Sequence, residues 1–266
     1  MELKWGIFAP CINEIELIEA KLEWALERFD DIVMVEGHHK RYTNVNESGL
    51  SVDGTTEILK SYSDRIKYRP VGAIKDVMDE AVLRGVGYNA LDKDLDIVIM
   101  CDVDEFYLDK DLEYIEAFYK RNKDLKLTVT NSYIFLDNEN CAPHIQRKQG
   151  NPFAFSKQHN QLHMGMFHER IFRYSKWYSY NVSPFLVNDL YGRFIFSNEI
   201  YYDDRVILDD VFMLHYKNFK RDEAQKRMEM YNTYGDGIKH DDEWDILEKN
   251  KILYDGEHPL QISKLL

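Results

Sequence analysis

Residues 96–106 read Asp96-Ile97-Val98-Ile99-Met100-Cys101-Asp102-Val103-Asp104-Glu105-Phe106. The unbroken apolar run Ile97–Cys101 describes a strand buried on both faces. Two aspartates, one residue apart, follow it directly. The pairs Asp92/Asp94, Asp94/Asp96 and Asp109/Asp111 repeat the spacing, but in polar surroundings that suit turns and helix starts. On extended chain, alternation points Asp102 and Asp104 the same way. Two carboxylates gathered on one side of a strand end repel each other unless a cation is present. A hard divalent ion, Mn²⁺ or Mg²⁺, is the natural neutraliser, because such ions bind through one or two carboxylates plus substrate phosphates.

Strand and helix signals alternate upstream of this stretch. Leu3–Ala9 reads as a buried strand closed by Pro10, and Ile15–Phe29 as a helix with Asn13 as its N-cap. Ile32–Val35 is a second strand, ended by Glu36-Gly37, and residues 38–52 are a polar loop. Asp53–Tyr62 opens as a capped helix. Arg65–Val71 is a third strand, Ile74–Leu91 a helix, and Asp109–Arg121 a further helix. Such alternation predicts an α/β chain with a mostly parallel sheet covered on both faces. Its ligands are expected at the carboxyl ends of the strands.

The second half reads differently. Leu125–Leu136 and Ile171–Tyr180 are aromatic-rich strands, 137–165 a long loop, Arg221–Tyr231 a charged helix, and the chain beyond Gly235 irregular. With no linker and no internal repeat, the reading is one domain over 1–266. It comprises a nucleotide-type half (1–124), an acceptor-side half (125–234) and a C-terminal tail (235–266).

The chain has 266 residues, 44% hydrophobic and 30% charged, with a formal net charge of −13. That composition excludes a disordered chain, a collagen or a coiled coil. The negative charge argues against nucleic-acid binding, which needs a clustered cationic surface, yet it leaves room for a phosphorylated ligand bridged by a metal ion. Three scattered cysteines, Cys11, Cys101 and Cys141, suit a reducing compartment, and cytoplasmic location is the expectation. No apolar run is long enough to span a membrane; peripheral membrane contact stays open.

A strand ending in Asp-x-Asp within such a chain resembles the GT-A fold of nucleotide-sugar glycosyltransferases. Pro10-Cys11-Ile12-Asn13-Glu14 resembles their first-strand segment. Ile32–Gly37 resembles their second strand, whose terminal acidic residue, here Glu36, contacts the nucleoside. Ser51–Leu59 is similar to the S-x-D-G-T-x-E-I-L segment of family-2-like members. About a dozen extra residues precede it, carrying His38, His39 and Arg41. The layout also resembles enzymes of the family-17 and family-92 type. The fold this implies is a Rossmann-like, mostly parallel central sheet with a smaller mixed β/loop acceptor half.

Met213–Lys217 resembles the family's C-terminal His-Tyr segment, which makes His215 the implied third metal ligand beside Asp102 and Asp104. The resemblance implies a nucleoside-diphosphate sugar as donor, a glycan or other hydroxyl as acceptor, and a donor site drawn from Pro10, Glu36, Lys75, Asp79, Asp102 and Val103. Lys217 would meet a diphosphate oxygen. An inverting mechanism needs a carboxylate base, for which Glu169, Asp209 and Asp210 are the candidates; a retaining one does not. Aromatics between Trp177 and Tyr202 are read as packing, a minority of them stacking on an acceptor sugar. His144, His159, His163 and His168 fit no standard zinc spacing.

Two other readings compete. A haloacid-dehalogenase-type phosphatase would use Asp102 as nucleophile, but it wants its motif on the first strand and Thr or Val where Phe106 stands. A non-enzymatic sugar- or calcium-binding module would use Asp-rich loops, but has no need of an ordered strand-end set.

Overall fold

Strands β1 (Trp5–Cys11) and β4 (Ile97–Met100) lie side by side and parallel, from Trp5 opposite Ile97 to Phe8 opposite Met100. On the other flank of β1 runs β2 (Asp31–His38), also parallel, and beyond it β3 (Lys67–Ala73). The helices α1 (Ile18–Leu26), α2 (Thr55–Ser61), α3 (Ala81–Ala90) and α4 (Asp109–Arg121) complete the first half. The computed structural model describes residues 2–38, 44–73, 81–125, 127–137, 139–144, 169–174, 205–216 and 248–265.

Alternation along the strands builds two cores, as a sheet covered on both faces requires. Ile7, Met34, Ile97 and Ile99 pack with Ile18, Leu22, Trp24 and Ala25 of α1. Phe8, Val33, Val35, Val98 and Met100 pack with Leu83 and Tyr88 of α3. Strand order reverses between β1 and β4, because β1 leads outward to β2 and β3 while β4 returns to its other side. A crevice for ligands opens at the carboxyl ends of two strands at such a reversal.

The second half extends the same sheet with antiparallel strands. β8 (Glu169–Arg173) runs against β4, and β6 (Leu127–Phe135) against β8. β6 also pairs with β7 (Asn140–His144) and, in parallel, with β9 (Arg205–His215). A two-residue strand, β5 (Glu105–Phe106), pairs with the end of β9, and β10 (Ile252–Leu253) with β7. A short helix, α5 (Leu260–Ser263), follows. The α/β class and the mostly parallel core are as expected.

Several local expectations are corrected. Pro10 does not close β1 but lies within it, opposite Val35. Pairing with β4 has ended at Phe8, so a missing amide there costs little. Asn13 is not the cap of α1, whose N-cap is Leu17. Asn13 instead adopts a left-handed φ of 54°, and its side chain binds Asn44 O (2.6 Å) and Val52 N (2.9 Å). The loop expected from 137 contains β7, which folds back on β6 as a hairpin, Phe135 opposite Cys141. The start of α3, the charged helix at 221–231 and the strand continuation at 175–180 lie outside the described residues.

Asp92, Asp94 and Asp96 do the structural work expected of them. Asp92 pairs with Lys67 at 2.7 Å, Asp94 with Lys4, and Asp96 accepts from Lys4 N at 2.9 Å. Asp111 departs from a solvated helix start, being only 9% exposed. Burial pushes its carboxyl up to about 6, outweighing nearby Lys110 and the Leu108 backbone. A raised folded-state pKa stabilises fully below the unfolded value and is lost as pH rises through about 6. Asp111→Asn is therefore expected to be more stable at pH 7.5, on the order of 1–2 kcal/mol, with little difference near pH 4. Thermal melts across that range check it.

Cys11, Cys101 and Cys141 are buried free thiols. No helix among the described residues is long and apolar enough to cross a membrane.

Candidate active site

The Asp-x-Asp pair does not continue strand β4. Glu105 N–H closes back on Asp102 O at 3.1 Å, so residues 102–105 form a turn before β5. The turn aims the two carboxylates at different partners, which corrects the expectation of a shared direction. The β5–β9 ladder sets Glu105 opposite His215, and Tyr216 N donates to Asp104 O at 2.8 Å. Asp104 Oδ2 and His215 Nε2 consequently stand 3.4 Å apart. Both residues are 8% exposed.

Asp102 faces two guanidinium groups. Arg84 of α3 reaches its Oδ1 and Oδ2 at 3.3 and 3.2 Å, and Arg170 of β8 reaches Oδ2 at 3.2 Å. Arg170 Nη2 also donates to Glu105 Oε1 at 2.5 Å, and Asp102 N donates to Glu105 Oε2 at 2.9 Å. Burial pushes the Asp102 carboxyl up, but Arg84 and Arg170 more than offset it and hold it below its ordinary value. Glu105 is fully buried, and there burial wins over Arg170, so its carboxyl lies above its ordinary value. Beneath the turn, fully buried Lys21 donates to Glu105 O at 2.5 Å and to Cys101 Sγ at 3.0 Å. Its ammonium lies over the rings of Trp24 and Phe106 at 4.5 and 4.8 Å.

Glu36, expected at the nucleoside, is fully buried. Its Oε1 accepts from Ser51 N (2.9 Å) and Thr56 Oγ1 (2.6 Å), and its Oε2 from Tyr68 Oη. It fastens the 51–56 segment to the end of β2. That is a correction, since its oxygens are taken up within the fold. Asn13 N bonds Ser51 Oγ at 3.0 Å, so the loops leaving β1 and β2 are tied together. Gly72, at φ +69°, lets Ser48 O approach within 2.3 Å of where a Cβ would stand. Glu36→Gln leaves an amide N–H facing a donor, and is expected to cost about 1–3 kcal/mol in a urea titration.

The remaining expected residues separate. Val103 is 2% exposed and packs in the core, so a ligand could meet only its backbone. Pro10 stays near the carboxyl end of β1. Asp209 and Asp210 are exposed, at an irregularity of β9 where Asn131 Nδ2 holds Asp209 O at 2.7 Å. The β9 register sets Leu208 to His215 against only Thr130 to Ile134 of β6, a span of roughly 13 Å, so both aspartates lie within that distance along the strand from His215. Glu169 lies in β8 beside Arg170, with its side chain outside the description. Lys75, Asp79, Lys217, His39, Arg41, the aromatics from Trp177 to Tyr202 and His159, His163 and His168 lie outside the described residues.

Among the described residues no three His, Cys, Asp or Glu side chains converge as a metal site. Asp104 and His215 form a two-residue donor set that suits a hard divalent ion supplemented by ligand oxygens. Asp102 is engaged by the guanidinium groups of Arg84 and Arg170.

Sequence reasoning missed Lys21, Arg84, Glu105 and Arg170. Two of them leave a signal. Lys21 falls three residues after Ile18 and four before Ala25, on the apolar face of α1. Arg84 interrupts the apolar run from Ala81 to Val86. A cation on a buried face implies a buried partner.

No protein-family model matches the chain, and no curated protein does. Among solved structures it is similar to S. aureus TarS 1–349 in complex with UDP, at 12% identity and a TM-score of 0.45, over 86% of this chain and 64% of that one. It is also similar to S. aureus TarS, at 15% identity and a TM-score of 0.37, over 64% of this chain and 28% of that one. A third is glucosyl-3-phosphoglycerate synthase from Mycobacterium tuberculosis in complex with Mn²⁺, UDP and glucosyl-3-phosphoglycerate, at 14% identity and a TM-score of 0.35, over 48% of this chain and 43% of that one. The chain thus spans less than two thirds of the length of each of these structures.

Proposed function

We propose that the chain is a glycosyltransferase that moves a sugar from a nucleoside-diphosphate donor to a hydroxyl acceptor such as a glycan. The observation that carries the reading is the Asp104–His215 pair, 3.4 Å apart, on the turn that leaves β4 where strand order reverses against β1. Such a crevice is where ligands of parallel sheets bind, and a carboxylate–imidazole pair there suits a diphosphate accompanied by a divalent ion.

In this reading the donor lies along the carboxyl ends of β1 and β4. Pro10 and the Val103 backbone border it. Lys75, Asp79 and Lys217 are assigned to the nucleotide and diphosphate by the resemblance of their segments. Glu36 and Asn13 shape the pocket by holding the 44–56 segment rather than by touching donor. Asp104 and His215 would hold Mn²⁺ or Mg²⁺, which when bound supplies Lewis-acid stabilisation of the departing diphosphate. The acceptor approaches from the aromatic-rich second half. Glu169, Asp209 and Asp210 are the candidate bases for an inverting reaction. The three thiols suit a reducing compartment, and the cytoplasm is the proposed location.

The phosphatase reading loses its nucleophile, because the Asp102 carboxylate is engaged by Arg84 and Arg170. A screen of UDP-, GDP- and TDP-sugars, with Mn²⁺ and with mixed acceptor glycans, tests the proposal. Release of nucleoside diphosphate from one donor is expected. Hydrolysis of phosphate monoesters, with no nucleotide-sugar turnover, would overturn it.

A further inference from the structure

The two aspartates of the turn have opposite surroundings. Asp102 is bracketed by Arg84 and Arg170, whose side chains are each 8% exposed. Arg170 shares its Nη2 with Glu105, whose other oxygen takes the Asp102 amide. Two guanidinium groups therefore meet two carboxylates in one largely buried cluster. Asp104 borders that cluster, with its Oδ2 against the His215 imidazole. A divalent ion reaching Asp102 would approach two positive groups and displace ion pairs that are expensive to break when buried.

We propose that Arg84 and Arg170 are positioning residues that withhold Asp102 from a divalent ion. Ion binding is thereby left to Asp104 and His215, and the Asp102 carboxylate serves to tie α3 and β8 to the turn. Two protein ligands hold a hard ion weakly, and further oxygens must come from water and an anionic ligand. The site therefore takes up its ion together with that ligand and poorly alone. Only the choice of UDP as the anionic probe rests on the glycosyl-transfer reading.

Mn²⁺ titrations of the full chain, followed by the electron paramagnetic resonance of free Mn²⁺, test this with and without UDP. UDP should tighten Mn²⁺ binding to the unaltered chain. Asp104→Asn should weaken it by about tenfold or more, the usual scale for disturbing a metal site, while Asp102→Asn should weaken it far less, because that carboxylate is not a ligand. Arg84→Gln, which loosens Asp102, should tighten Mn²⁺ binding without UDP, whereas Arg84→Lys, which keeps the charge, should not. Equal losses in Asp102→Asn and Asp104→Asn overturn the proposal, as does an Arg84→Gln chain with unaltered affinity. A chain that binds no Mn²⁺ under either condition also overturns it. A chain that binds Mn²⁺ through Asp104 but turns over no nucleotide sugar overturns the functional reading and leaves this one standing.

Discussion

Asp104→Asn is expected to reduce nucleotide-sugar turnover by about 100-fold or more, since stabilising the charge of a departing diphosphate is worth several kcal/mol and each 1.4 kcal/mol is about tenfold. The substitution keeps the shape of the side chain and removes the charge that faces His215 at 3.4 Å. The loss should appear in kcat as well as in the Mn²⁺ requirement, because the interaction strengthens as the diphosphate leaves. Its thermal midpoint should stay close to that of the unaltered chain, since the backbone contact of Asp104 O with Tyr216 N is kept. Steady-state kinetics on the donor found by the screen measure it. Full transfer activity in Asp104→Asn would remove the central support of the functional reading.

Arg170→Met is expected to have the largest effect on stability. Removing one partner of a buried ion pair typically costs about 3–5 kcal/mol, and this arginine serves both Asp102 and fully buried Glu105. Arg84→Met should cost less, because its partner Asp102 has a side chain 25% exposed to water and keeps Arg170. The gap between Arg170→Met and the unaltered chain should narrow as the solution is acidified. Glu105, already raised by burial, takes up a proton and no longer needs a cation. Asp102, held below its ordinary carboxylate value, stays ionised in the unaltered chain at pH 5, so the narrowing there comes from Glu105. Urea unfolding at pH 5 and pH 7.5 checks both parts. A cost under about 1 kcal/mol at neutral pH would show that the cluster is not the buried pair of pairs described, given what such pairs usually cost to break.

Much of the first half was legible because its signals are local. The apolar run Ile97–Cys101 announces a two-sided strand wherever it is read. The 3.6-residue spacing of Ile18, Leu22 and Ala25 announces a helix face. The second half was legible only in part. β9 joins β6 and β5 from about eighty and a hundred and ten residues away, respectively. No window of sequence contains that information.

The site divides in the same way. Position after a buried strand singled out Asp102 and Asp104 among four identical spacings, because only that pair emerges at the carboxyl edge of a parallel sheet. What each aspartate does was decided by partners brought from afar: Arg84 from α3, Arg170 from β8 and His215 from β9. A local turn, closed by Glu105 N on Asp102 O, replaces extended chain and gives the two carboxylates different partners. Glu36 shows the same limit. Its place at a strand end was readable, but its burial beneath Ser51, Thr56 and Tyr68 depends on a loop folding back over the sheet. The sequence by itself determined the α/β layering and the strand end at which chemistry can gather, since hydrophobic periodicity acts over a few residues. Only the tertiary structure decided which carboxylate meets guanidinium and which meets imidazole, because charge pairing depends on distances in space.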